Sequence, residues 1–240
     1  MAIEKTNYPL DLPAYLKIDV SKPKEYFKKI VASIKDEYGD GPVSLLDIGC
    51  ANGSFLHYVQ QHITLIDSMG TDISEAYLEI ARQNVPGVKF VCDSIVNPKQ
   101  VFNKKFDICT CFGTMVIFDD LEPSLGNIFA LTKPGGSIYF YDFVNPYGID
   151  VLMRYRTVKK NGDPSEWKSA YNIRCEGTYR RAVSKYNVSS IEFLPFEMPF
   201  PIKKTDDPLR TWTIKTEEKE HQIVSGTGQL LNFNIIKIKK

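Results

Sequence analysis

Leu45-Leu-Asp-Ile-Gly-Cys-Ala-Asn-Gly-Ser-Phe55 is an apolar run that breaks into a turn at Gly49 and Gly53 and then starts a helix. Its first part, Val43 to Ile48, has the length and content of a strand buried on both faces. Upstream, Tyr26, Phe27, Ile30, Val31 and Ile34 recur at helical spacing between Pro23 and Tyr38, and Gly39, Gly41 and Pro42 close that segment. Downstream, the chain alternates. Ser54 to Gln61 predicts a helix, Ser68 to Ile73 a second strand, and Glu75 to Asn84 a helix capped by Ser74. Val88 to Cys92 and Phe106 to Phe112 follow as strands, then a helix over Glu122 to Thr132. Lys133-Pro-Gly-Gly136 turns the chain into a fifth strand, Ser137 to Phe143. Strands alternating with helices imply right-handed crossovers and a parallel sheet covered on both faces.

The composition excludes several classes. The chain has 240 residues, 30 Lys plus Arg against 29 Asp plus Glu, and a formal charge of +1. A near-neutral chain has no global attraction for nucleic acid or an acidic membrane. The start, Met-Ala-Ile-Glu-Lys-Thr, lacks the pattern of a signal peptide, and Ile108 to Phe118 is far shorter than the roughly 20 residues of a span. A cytoplasmic protein is expected. Cys50, Cys92, Cys109, Cys111 and Cys175 show no metal-ligand spacing and are expected as reduced, small core residues. No metal is expected.

In open α/β sheets, ligands bind where loops leave the carboxyl ends of central strands. A nicotinamide fingerprint starting at Gly49 requires glycine at 51 and 54, where this chain has Ala51 and Ser54. Asp47 beside the loop would repel a pyrophosphate and favour an ammonium. The ligand is therefore expected to be a nucleoside without phosphates and with a positive end. Asp72, ending the second strand, is placed to accept from both ribose hydroxyls, and Asp93, ending the third, to meet an exocyclic amine.

With these residues in hand, the chain resembles the class I S-adenosylmethionine-dependent methyltransferases. Asp47-Ile-Gly-Cys-Ala-Asn-Gly53 is similar to that family's first motif, with Ala51 at its middle glycine. Phe106-Asp-Ile-Cys-Thr-Cys-Phe-Gly113 and Leu131-Thr-Lys-Pro-Gly-Gly136 match its fourth strand and the turn before its fifth. The resemblance covers about residues 40 to 145. It implies a Rossmann-like, seven-stranded, mostly parallel sheet with a small cover inserted after strand five. It implies S-adenosyl-L-methionine as cofactor, bound by Asp47, Gly49, Cys50, Ala51, Asn52, Gly53, Asp72, Ile73, Asp93, Ser94, Phe112 and Gly113, with Met115 and Phe118 against the adenosine or the sulfonium end. Many small-molecule members carry a Glu-His pair after strand four. Val116 and Ile117 stand there instead, so no histidine base is expected and no catalytic residue is assigned.

Four segments are expected: an N-terminal arm over 1–22, a cofactor-binding core over 23–145, a cover over 146–220, and a C-terminal strand over 221–240 completing the sheet. Between Val151 and Tyr186 lie nine Lys or Arg and three acids, interleaved with Tyr155, Trp167, Tyr171, Tyr179 and Tyr186. This segment is either a solvated face or a cover over an anionic small-molecule acceptor held by Arg154, Tyr155, Tyr171 and Arg174. The reaction expected is O- or N-methylation by in-line displacement. Tyr155, Tyr171 and Asp119 are the candidates by location if a base is used. Two other readings stay open: an RNA-modifying enzyme, with the tyrosines stacking on bases, and a non-catalytic cofactor-binding regulatory subunit.

Overall fold

The computed structural model describes residues 18–99, 104–206 and 210–240. Most of the arm expected over 1–22 therefore lies outside the described residues. Helix α1, Glu25–Tyr38, buries Phe27, Ile30, Val31 and Ile34, the i, i+3, i+4, i+7 stripe expected of it. Strand β1, Val43–Ile48, is buried at every residue. Then come α2, Ser54–Val59; β2, Leu65–Asp72; α3, Glu75–Asn84; β3, Lys89–Cys92; and β4, Phe106–Phe112. A 3-10 turn at Met115–Ile117 leads into α4, Glu122–Leu131. Strand β5 runs from Thr132 to Asn145, so the segment expected as a turn is already strand. Its start pairs with the end of the chain: the Gly135 N–H donates to the Lys240 carbonyl at 2.8 Å and the Lys240 N–H to Gly136 at 2.9 Å.

The segment expected as a cover contains three two-residue strands, β6 (Arg154–Tyr155), β7 (Lys168–Ser169) and β8 (Arg174–Cys175), followed by α5, Glu176–Val183. Strands β9, Ser190–Phe196; β10, Thr211–Ile214; β11, Gln222–Ser225; β12, Leu230–Leu231; and β13, Phe233–Lys239, complete the described chain. The main sheet has the order β3-β2-β1-β4-β5-β13-β9, with β8 alongside the end of β5. Pairing from β3 to β5 is parallel, and β13 inserts antiparallel between β5 and β9. β9, within residues 146–220, thus belongs to the main sheet. A separate antiparallel sheet, β10-β11-β12, and a β6-β7 ribbon stand outside it.

Two hydrophobic clusters flank the sheet. One joins α1, α2 and α3 to Leu45, Ile108, Tyr139 and Ile235. The other joins α4 and α5 to Leu46, Cys109, Phe140 and Ile236. Neighbouring strand residues alternate between the clusters, as the two-residue period of a strand requires. Cys50, Cys109 and Cys111 are buried as expected, and burial pushes the Cys109 thiol up to about 12. Cys92 differs: its strand lies at the sheet edge and its side chain is exposed.

The end of α1 is fastened to β13 by charge. Glu37 pairs with Lys237 at 2.9 Å and with Lys239 at 2.5 Å, and accepts the Ser137 hydroxyl at 2.6 Å. Burial disfavours the carboxylate, but these bonds outweigh it and hold the carboxyl down at about 2. A depressed folded pKa contributes stability that is full above the unfolded value, near 4.5, and is lost as pH falls toward about 2. The Glu37→Gln variant is therefore expected to show a flatter melting temperature between pH 5 and 2.5 than the parent chain, a difference that thermal melts at half-unit steps will measure.

Candidate functional site

The connections from β1 and β4 leave in opposite directions, to β2 on one side and β5 on the other, and this reversal opens a crevice at the carboxyl ends of the strands. Asp47 and Thr110 are register partners across it. The Thr110 hydroxyl donates to Asp47 Oδ1 at 2.7 Å. Burial pushes the Asp47 carboxyl up to about 7; Asp72 adds to the rise, while Thr110 and Lys24 oppose it. Lys24, the residue before α1, is the countercharge. Burial lowers the pKa of its ammonium, and Asp47 opposes that loss.

The loop after β1 turns through three left-handed residues. Gly49 has φ +69°, Gly53 φ +79°, and between them Ala51 has φ +46°. Ala51 alone among the described non-glycine residues has positive φ, and it occupies the position where the family motif has glycine. A Cβ on Gly49 would sit 2.3 Å from the Thr114 hydroxyl, so the loops after β1 and β4 approach as closely as they do only because that atom is missing. The loop is also hung from β2. Gly49 and Cys50 N–H groups donate to the Thr71 carbonyl at 2.8 and 3.0 Å. Asn52 is buried, accepts the Ser54 hydroxyl at 2.5 Å, and donates to the Ile18 carbonyl at 3.3 Å.

Asp72 Oδ2 accepts the Ala51 N–H at 2.9 Å and Oδ1 accepts the Ser74 N–H at 3.0 Å. The sequence assigned the start of α3 to Ser74, but no side-chain bond from Ser74 caps it; the Asp72 carboxylate meets the helix start instead. Ile73 beside it is exposed. Asp93 accepts the Ser94 N–H at 2.8 Å and the Lys99 N–H at 2.9 Å, which closes the loop after β3. Three buried carboxylates thus end three adjacent strands. A carboxylate only accepts, so a ligand complementary to this end of the sheet presents hydrogen-bond donors, as an ammonium, vicinal hydroxyls and an exocyclic amine do. Next to them Gly113, with φ +66°, has nothing within 4 Å where a Cβ would stand. This donor set and open backbone fit S-adenosylmethionine.

The other expected residues fall elsewhere. Phe112 packs edge-on against Phe55 and Tyr26, at 4.8 and 5.4 Å between centroids. Met115 and Phe118 turn into the cluster beneath α4, Met115 completely, so neither offers the ligand-facing surface expected. Arg174 is buried, and its guanidinium donates to the carbonyls of Met115 (3.3 Å), Phe118 and Asp119 (3.1 Å). It ties down the loop after β4. Buried Asn172 does the same through its Nδ2, to Phe118 O at 3.0 Å and Asp119 Oδ1 at 3.1 Å. Arg154 pairs with Asp119, so Asp119 faces the cover and not α4; Asp120 instead accepts the Glu122 N–H at 2.9 Å. The Arg154 bond holds the Asp119 carboxyl below its ordinary range, which leaves it a poor base at neutral pH. Tyr155 and Tyr171 are partly exposed, and the Tyr171 ring meets Phe143 at 5.5 Å. Tyr179 is fully buried and Tyr186 stacks on Phe129 at 4.1 Å, so neither has a free face for a base.

Lys24, Thr110, Thr114 and Asn172 were missed in the sequence. Only Thr110 carried a signal, as the one hydroxyl between Ile108 and Phe112. Among the described residues no group of His, Cys, Asp or Glu is placed to hold a metal ion, and no helix is long and apolar enough to cross a membrane.

Comparison with known proteins agrees with this geometry. Residues 46–138 match the methyltransferase-domain family. The chain is 27% identical over 103 residues to the ubiquinone biosynthesis O-methyltransferase of Coxiella burnetii, an alignment covering 40% of this chain and 42% of that protein. The chain thus spans less than half the length of the curated relatives it matches. Across the whole fold it is similar to the DhpI–SAH complex, with TM-score 0.54 and 11% identity over 89% of this chain and 85% of that one. It is also similar to magnesium protoporphyrin IX methyltransferase from Synechocystis PCC 6803 with bound SAM, with TM-score 0.54 and 13% identity over 90% and 78%. Residues 46–138 are thus similar to methyltransferase domains, and the chain shares the Rossmann-like sheet of these solved structures.

Two measurements test this site. Between pH 6 and 8, affinity for S-adenosylhomocysteine is expected to rise as Asp47 ionises, while affinity for methylthioadenosine, which lacks the amino-acid end, stays level; Asp47→Asn should abolish the rise. Ala51→Gly relieves a left-handed side chain worth about 1 kcal/mol, so it should melt no lower than the parent, whereas Gly49→Ala should melt lower.

Proposed function

We propose that this chain binds S-adenosylmethionine at Asp47, Asp72 and Asp93 and transfers its methyl group to an oxygen or nitrogen of a small acceptor held beneath the cover. The arrangement of three buried carboxylates around a left-handed loop at the strand reversal carries this reading. The bound cofactor supplies a methyl group already activated on a sulfonium. The protein's part is then placement: a collinear approach of about 3 to 3.5 Å and exclusion of water. Where small-molecule members often have Glu and His, Val116 is buried with Phe143, Ile223 and Leu231, and Ile117 packs partly buried against them. Neither paired Asp119 nor any histidine stands there as a base, which favours an acceptor atom that needs little activation.

The anionic-acceptor reading narrows on this geometry. Arg174 is committed to backbone carbonyls, while Arg154 lies partly exposed above Asp119 and is the residue of the two that an acceptor anion can reach. The small-molecule relatives support an acceptor of metabolite size.

Thermal melts should rise with S-adenosylhomocysteine and stay level with NAD. Radiolabelled methyl transfer into pooled phosphorylated, carboxylated and amine metabolites should then yield at least one labelled product. Arg154→Glu should raise the KM of that acceptor and leave S-adenosylhomocysteine affinity unchanged. A chain that binds the thioether and labels no pool would be a regulatory subunit instead.

A further inference from the structure

Arg156 and Trp167 meet across the β6–β7 ribbon, one step beyond the register pair Tyr155 and Lys168. The guanidinium carbon of Arg156 lies 4.8 Å from the centroid of the Trp167 ring. Trp167 is nevertheless 59% exposed, so the guanidinium covers part of the indole and the rest faces solvent. An aromatic ring of that size left open on an otherwise polar ribbon is an unspent stacking surface.

The arginine is equally uncommitted. Arg174 holds three carbonyls and Arg180 pairs with Glu176 at 3.2 Å, while Arg154, though partly exposed, shares its guanidinium with Asp119. Arg156 has no carboxylate partner among the described residues. A guanidinium over a ring keeps N–H groups for other partners, and its fork fits a carboxylate or phosphate.

The ribbon is anchored to the proposed methyl-transfer site. Arg154, in β6 and two residues before Arg156, reaches Asp119 in the loop after β4. The Met153 N–H donates to Asn172 Oδ1 at 2.8 Å, and Asn172 holds Phe118 and Asp119. That loop begins at Thr114, which packs on Gly49. A continuous set of contacts therefore runs from the cofactor loop to the ribbon.

We propose that Arg156 and Trp167 form the recognition site for the acceptor, a soluble metabolite whose ring stacks on the indole and whose phosphate or carboxylate meets the guanidinium. This rests on the small-molecule methyl-transfer reading above and names the acceptor class for it. The chain has two tryptophans, so Trp212→Phe leaves Trp167 as the only indole emitter. In that background, phenyl phosphate should change Trp167 emission saturably, and phenol should bind at least tenfold more weakly. Arg156→Gln should weaken phenyl phosphate by about tenfold or more, the usual size of a lost charge-assisted bond. Affinity for S-adenosylhomocysteine, measured by calorimetry, should be the same in both proteins.

No saturable response to phenyl phosphate, or equal affinity with Arg156→Gln, would overturn the proposal. So would a response to phosphatidylglycerol vesicles or to single-stranded RNA with the soluble probe silent, because the anion would then belong to a membrane or a nucleic acid. Loss of S-adenosylhomocysteine binding by the parent chain would instead fail the cofactor reading, which the emission titration does not measure.

Discussion

The contact between the loops that leave β1 and β4 governs the rest of the molecule. The two strands lie side by side and send their connections to opposite halves of the sheet. Only a residue without a side chain at position 49 lets the loops close to the distance at which Thr114 stands against the backbone. Asp47 is buried beside them, its Oδ1 holding the Thr110 hydroxyl. Its proton affinity near neutrality is a consequence of that packing, moderated by one hydroxyl and one ammonium.

A second layer of order comes from the cover. Arg174 and Asn172 donate to backbone carbonyls of the loop after β4, those of Met115, Phe118 and Asp119. Burying an arginine is costly unless its donors are used, and here three carbonyls use them. The segment that looked in the sequence like a bank of cations for an anion is therefore divided in structure. Some of its charge organises the loop from behind, and some faces outward.

This division explains what was legible in the sequence. The strands and the glycine turn could be read because apolar runs and left-handed backbone positions have local signatures, and β1, β4 and α3 fall where those signatures place them. Asp47, Asp72 and Asp93 were legible because strand ends are predictable once the alternation is recognised. The roles of Met115, Arg174 and Asp119 were not, since each depends on which segment returns to cover the loop, a contact more than fifty residues distant in Arg174. Lys24 was hidden for the same reason: a lysine before a helix reads as solvated until the fold brings Asp47 beneath it. Ser74 and Lys133 show a different failure, in which a correct local preference was outcompeted by a carboxylate and by strand pairing.

The position of β13 between β5 and β9 has a consequence for how the chain is made. On a ribosome, β5 and β9 emerge with their facing edges unpaired, and the strand that joins them along two seven-residue registers is synthesised after both. Until then the nascent protein exposes two open strand edges rich in phenylalanine and isoleucine, the kind of surface that invites pairing with a neighbouring chain.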